Sequence, residues 1–230
     1  MTVPSLHVQP MDMPISTRLI RAVLFDFDGT LTEPGSLDFG AVRDAIGCPR
    51  GRPVLEFINS IASQVERDKA FNILEAFEAE AARRSRPNSG AEDVLEFLIA
   101  RGIKIGIISR NSLTSIRTGL DNFERIQPAD FAVILSRDDP YSPKPSPEGI
   151  LAAAGILGIP VTRVLVVGDF VFDVEAGGKA GALTAFLTNR GSSHPCTHPS
   201  DFTLEHLGEL KRIFEPQEVG DLTEKTREDP

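Results

Sequence analysis

Ile20-Arg21-Ala22-Val23-Leu24-Phe25-Asp26-Phe27-Asp28-Gly29-Thr30 decides how the rest of the chain is read. Residues 20–27 form a mostly apolar run of strand length that ends on acids. An unbroken run of this kind is how a strand buried on both faces reads, as in a parallel sheet. Side chains two residues apart on a strand share a side, so Asp26 and Asp28 are expected together with Phe27 facing away. Gly29-Thr30 then breaks the strand. Two neighbouring carboxylates repel each other and need a divalent cation with oxygen ligands or a shared proton. A solvated turn is the plain alternative, and this stretch alone leaves both open.

Working outward, residues 103–108, 131–135, 164–167 and 184–187 repeat the short apolar pattern. Helical patterns lie between them. Residues 90–100 place acids early and Arg101 at the end, which suits the helix dipole. Residues 146–157 open on Ser146-Pro147, a good start signal. Residues 173–180 and 204–213 complete the set. Alternating strands and helices with turn-rich joints predict an α/β fold. From 35 to 88 the alternation stops, and only helix-period segments appear, at 37–46, 54–62 and 66–84. That length points to a small helical cap inserted after the first strand rather than to ordinary crossover helices. The expected organisation is a core of 18–34 and 89–214, a cap of 35–88, and loose tails at 1–17 and 215–230.

Three further strand ends carry polar groups. Ile107-Ile108-Ser109-Arg110-Asn111 offers a hydroxyl and backbone N–H groups where a helix is expected to start, a place for phosphate oxygens or simply an N-cap. Ser142-Pro143-Lys144-Pro145 fixes a lysine between two prolines, with a surface lysine in a Pro-rich loop as the plain reading. Val167-Gly168-Asp169, followed by Asp173, adds two more acids, with helix capping by Asp173 as the plain reading. In an open parallel sheet the carboxyl ends of the strands share one edge, where ligands bind. The four clusters therefore converge on one crevice. Carboxylates for a cation, a hydroxyl with amides, and a fixed lysine suit a phosphate with Mg²⁺.

This ordered set of Asp26-x-Asp28-Gly-Thr-Leu, Ser109, Lys144 in Lys-Pro-Ser-Pro-Glu, and Gly168-Asp169 with Asp173 resembles the haloacid dehalogenase (HAD) superfamily of phosphohydrolases. The likeness runs over about residues 21–210. It implies a Rossmann-like parallel sheet core with an inserted small α-helical cap, of the phosphoglycolate phosphatase-like type. It also implies a small phosphomonoester as substrate, phosphoglycolate or a sugar phosphate among the candidates. Asp26 would attack phosphorus and carry an aspartyl-phosphate, and Asp28 would serve as general acid and then base. Asp26, the carbonyl of Asp28 and Asp169 would hold Mg²⁺, with Asp173 supporting that shell or the lysine. Ser109 and Lys144 would bind the phosphoryl group.

Arg110 stands directly after Ser109 where many members carry Asn, so no role is carried over to Asn111. Phe170 stands where a small hydroxyl residue often follows the acid, and is expected as a packing variant. The second aspartate, Asp28, argues against dehalogenase chemistry. The lone cap lysine, Lys69, sits mid-helix and argues against Schiff-base phosphonate cleavage. A phosphosugar mutase, and a non-catalytic phosphate-binding regulatory module, are the alternatives. The cap has no histidine of the kind a mutase typically uses. Arg50 and Arg52 lie in a turn between cap helices, where one or the other could select substrate by pairing with an anionic group, and two solvated arginines are the plain alternative.

The composition agrees with this outline. The chain has 230 residues, enough for one full domain with an insert. Twenty-four basic against 33 acidic residues give a net charge of −9. That argues against a nucleic-acid partner, while a small anion can still meet a locally positive site. Two cysteines, Cys48 and Cys196, suit a reducing compartment. No membrane span or signal peptide is expected, so the reading is a cytoplasmic monomer or homodimer. His194, Cys196 and His198 alternate in a way that could bind zinc, but Pro195 and Pro199 suggest an irregular loop and no second ligand cluster supports it.

Overall fold

Six parallel strands carry the fold in the order β3-β2-β1-β4-β5-β6. They are β1 (Ala22–Phe25), β2 (Lys104–Ile108), β3 (Val133–Leu135), β4 (Val164–Gly168), β5 (Leu183–Leu187) and β6 (Phe202–Leu204). The computed structural model describes residues 20–189 and 198–214. The expected tails at 1–17 and 215–230, and His194 and Cys196, lie outside the described residues.

The apolar run that opened the reading is central. β1 lies between β2 and β4, paired in parallel with both. Val23 and Phe25 enter the core on one face, and Ala22 and Leu24 enter the core on the other. All four are fully buried. Burying each large side chain contributes about 1.5–3 kcal/mol, so an alternating polar pattern here would forfeit one whole layer. On the first face pack α4 (Ala91–Ala100) and α5 (Leu113–Leu120). On the second pack α6 (Glu148–Leu157) and α7 (Val171–Ala180). The strand order reverses at β1, so the connections diverge there and leave a crevice beyond the carboxyl ends of β1, β2 and β4.

Three helices stand between β1 and α4 in the chain: α1 (Phe39–Ile46), α2 (Val54–Asn59) and α3 (Gln64–Arg84). Asp38 starts α1 by accepting the Ala41 N–H at 2.9 Å, and the Ser63 hydroxyl accepts the Glu66 N–H at 3.4 Å at the start of α3. The three helices bury a cluster of their own, built on Leu37, Val42, Leu55, Ile58 and Leu74. The chain segments entering and leaving this layer run antiparallel. The Glu33 N–H donates to the Arg86 carbonyl at 2.9 Å, and the Asn88 N–H to the Leu31 carbonyl at 2.8 Å.

Two elements differ from the sequence expectation. Residues 204–213 do not form one helix. Phe202–Leu204 adds β6 to the sheet edge, and a 3₁₀ turn (Leu207–Leu210) leads into a short α8 (Lys211–Phe214). The Asp201 carboxylate accepts from the Thr184 N–H at 2.8 Å and from its hydroxyl at 2.9 Å, which holds this segment beside β5. That tertiary tie overrides the local helical spacing. The second difference is where α5 begins: the helix expected to start at Ser109–Asn111 opens at Leu113. Its cap is Ser112, not Ser109 or Asn111, and the Ser112 hydroxyl accepts the Ser115 N–H at 3.2 Å.

Candidate active site

β1 ends at Phe25, one residue before the acids. Asp26 and Asp28 still face one way, because both keep extended backbone (φ −66°, ψ 165° and φ −74°, ψ 127°) and so continue the strand's alternation. Phe27 between them is 1% exposed and anchors the turn in the core. Its carbonyl accepts the Thr32 N–H at 3.0 Å. Gly29 then turns the chain at φ +76°, and a Cβ there would lie 2.3 Å from an oxygen of Asp169. Both the backbone angle and the close approach of Asp169 require glycine. Two asparagines hold this turn from outside. Asn189 Nδ2 donates to the Gly29 carbonyl at 2.7 Å, and Asn88 Nδ2 to the Thr30 carbonyl at 2.9 Å. Neither was legible as a site residue, since a lone asparagine reads as turn chemistry.

Lys144 crosses the crevice from the loop after β3. Its Nζ donates to Asp26 Oδ1 at 2.5 Å and to Asp173 Oδ1 at 2.6 Å. The lysine side chain is 4% exposed, so water cannot replace these partners. Burial acts to lower the ammonium, but Asp173 and Asp26 outweigh it and hold Lys144 above the ordinary lysine range. Asp173 Oδ2 accepts the Phe170 N–H at 3.1 Å and so also starts α7. Both carboxylate oxygens of Asp173 are thus in use, for the lysine and for the helix start. A Cβ on Gly168 would fall 2.1 Å from the Asp173 carboxyl carbon, so glycine at the end of β4 is what lets Asp173 tuck beneath.

Asp28 is held differently. Asn111 Nδ2 donates to its Oδ2 at 2.6 Å. Burial and the nearby Asp26 charge push the Asp28 carboxyl up to about 7. Asn111, set aside at the sequence level because Arg110 displaces it by one position, therefore does reach the site. Asp169 accepts the Thr30 hydroxyl at 3.1 Å, and burial together with Asp26 and Asp173 pushes it up to about 8. Burial and Asp26 likewise push Asp173 up to about 6, against the pull of Lys144. Oxygens of Asp26, Asp169 and Asp173 lie within 4.8 Å of one another. These upward shifts come first from burial and then from the carboxylates' crowding of one another. Oxygen-only donors at this spacing suit a hard divalent cation. With Asp173 committed elsewhere, Asp26 and Asp169 are the carboxylates with oxygen to offer it.

Ser109 sits at the end of β2, 8% exposed, and lines the same cavity as Asp26, Asp28, Lys144 and Asp169. That cavity has a volume of about 1270 Å³. Arg110 spans core and helical layer. Its Nη2 donates to both carboxylate oxygens of Glu56 on α2, at 2.9 and 2.7 Å, and its Nη1 to the Lys144 carbonyl. A second tie is buried. Arg137 donates to Glu78 on α3 at 2.5 and 3.0 Å, with the Glu78 side chain 2% exposed. Burial raises the Glu78 carboxyl despite the opposing guanidinium.

Arg50 and Arg52 stand elsewhere. Both are exposed, and Arg52 lies over the Phe57 ring at 5.4 Å. Gly51 and Pro53 reach the cavity wall, and the two arginines do not. Phe170 is not an interior packing variant. It is 39% exposed at the cavity, edge-on to Phe172 with ring centroids 4.9 Å apart. Among the described residues no helix is long and apolar enough to cross a membrane.

Known proteins resemble this chain in sequence and in fold. Residues 20–181 match the family model described as haloacid dehalogenase-like hydrolase. An uncharacterized hydrolase of Saccharomyces cerevisiae is 31% identical over 198 residues, covering 85% of this chain and 90% of its own. The N-acetylmuramic acid 6-phosphate phosphatase of Pseudomonas aeruginosa is 27% identical, covering 90% of this chain and 96% of its own. Among solved structures, a hydrolase from Pseudomonas syringae superposes with a TM-score of 0.70 at 21% identity, over 84% of this chain and 96% of its own, a likeness of fold.

Proposed function

The chain belongs to the haloacid dehalogenase-like hydrolases, and from that premise we propose that it is a Mg²⁺-dependent phosphatase that hydrolyses a small phosphomonoester through an aspartyl-phosphate on Asp26. One observation carries the reading. Asp26, tied to a buried ammonium, stands beside Asp28, a buried carboxyl whose pKa lies near neutrality. A nucleophile and a proton donor are thus separated in role by environment.

An oxygen of Asp26 attacks phosphorus while the bond from phosphorus to the leaving oxygen breaks. The Asp28 carboxyl gives its proton to that leaving oxygen. Its carboxylate then takes a proton from water, which attacks the same phosphorus. The bond between phosphorus and Asp26 breaks, and inorganic phosphate departs. Lys144 and the Ser109 hydroxyl bind phosphoryl oxygens and offset their charge, the main task in phosphoryl transfer. Asn111 aims Asp28, and Asp173 aims Lys144. Mg²⁺ would be held by Asp26, Asp169 and the Asp28 carbonyl, where it would neutralise phosphoryl charge.

Residues 35–88 act, in this reading, as a cap over a core of 18–34 and 89–214. The Glu56–Arg110 and Glu78–Arg137 pairs hold it against the core, and closure excludes water. Two cysteines in the chain suit a reducing compartment, so the reaction is assigned to the cytoplasm. The Pseudomonas aeruginosa relative is named for phosphatase activity, which supports phosphoryl chemistry without fixing the substrate.

Hydrolysis of p-nitrophenyl phosphate with Mg²⁺ and with excess chelator tests the reading. Turnover is expected with the metal, falling about 100-fold or more on chelation and returning when Mg²⁺ is restored, since the charge of several carboxylates is otherwise unopposed. Turnover unaffected by chelation would contradict it.

A further inference from the structure

Three cations line the cavity: Lys144, Arg110 and Arg43. Lys144 lies between Asp26 and Asp173, and Arg110 is paired with Glu56. Arg43 has no carboxylate within ion-pair distance among the described residues. It projects from the last turn of α1. Its Nη1 donates to the Phe39 carbonyl on the same helix at a long 3.3 Å, and its guanidinium lies 5.9 Å from the centre of the Phe39 ring. Its Nε is buried and has no hydrogen-bond partner. The surrounding protein closes Nε off, so an anion in the cavity would meet the guanidinium through Nη2, which makes no hydrogen bond among the described residues.

The surroundings suit a leaving group. A cavity of about 1270 Å³ far exceeds a phosphoryl group, so most of it is available to the rest of the substrate. Its wall near Arg43 includes Phe39, 47% exposed, and Phe170 and Phe172 also line it. Apolar walls strengthen any charge pairing formed between them.

We propose that Arg43 is the specificity-determining residue of this site, and that it selects phosphomonoesters whose leaving group bears a second anion, a carboxylate or a second phosphate. The inference rests on the phosphatase reading above. It assigns to α1 the task that the sequence suggested for Arg50 and Arg52.

Matched pairs of substrates test it. 2-Phosphoglycolate is compared with 2-phosphoethanol, and propane-1,3-diol bisphosphate with its monophosphate. The wild type is expected to favour the anionic member of at least one pair by about 10–100-fold in kcat/KM, through KM, and the favoured pair tells carboxylate from phosphate. Arg43→Gln is expected to bring that ratio near one, and Arg43→Lys to restore part of it. A wild type that hydrolyses both members equally overturns the inference alone. So does a preference that survives in Arg43→Gln. If Arg43→Gln fails to fold, the wild-type ratio and Arg43→Lys still decide. A wild type that hydrolyses no phosphomonoester overturns the phosphatase reading, and this inference with it.

Discussion

Asp26→Asn is expected to lower kcat on any phosphomonoester by roughly 10⁴-fold or more, because on the proposed covalent route it removes the nucleophile. The substitution is nearly isosteric. The amide oxygen can still accept from Lys144, which now binds Asp26 at 2.5 Å. The protein should also unfold no earlier than wild type. Asp26 is a source of repulsion on Asp28, Asp169 and Asp173, and the neutral amide relieves all three. Steady-state kinetics with a thermal melt on the same preparation checks both halves. Loss of activity through loss of fold would show as an early melt.

Lys144→Met is expected to be the second most damaging change, for two separable reasons. On the proposed route it removes a positively charged donor to the phosphoryl group, worth about 10²–10³ in kcat for a single such contact. It also leaves Asp173, 3% exposed, without its counter-charge. Removing one partner of a buried pair typically costs about 3–5 kcal/mol, so this variant should melt well below wild type. The contrast with Asp26→Asn is the informative part. The nucleophile is expected to matter for chemistry and not for folding, and the lysine for both. A Lys144→Met protein that melts with the wild type would contradict the ionic account of how this loop is held.

The architecture was largely legible because burial and chemistry leave marks in one dimension. β1 is buried on both faces and reads as an unbroken apolar run. Gly29 reads as a strand breaker, though what it and Gly168 make room for, Asp169 and Asp173, needs three dimensions to see. The missed pieces are those fixed by distant partners. Residues 202–204 pair as a strand because Asp201 is tied to Thr184, a contact no local period encodes. Asn88, Asn111 and Asn189 hold the catalytic turn and Asp28 across separations of 58 to 160 residues. Arginines in a turn attracted notice as anion readers at 50 and 52. Arg43, on a regular helix, did not, since a charged residue in a last turn already has a helix-dipole explanation.

The central claim is that Asp26 carries the phosphoryl group, and mass analysis of acid-quenched enzyme tests it most directly. The variant to use is Asp28→Asn with p-nitrophenyl phosphate. An aryl leaving group departs without a proton from Asp28, so the first step proceeds. The second step lacks its base, and the intermediate should accumulate. The account predicts a mass increase of one phosphoryl group, located on the peptide that contains Asp26. No such adduct while the wild type releases phosphate from the same ester, or a phosphoryl group on another residue, would contradict it.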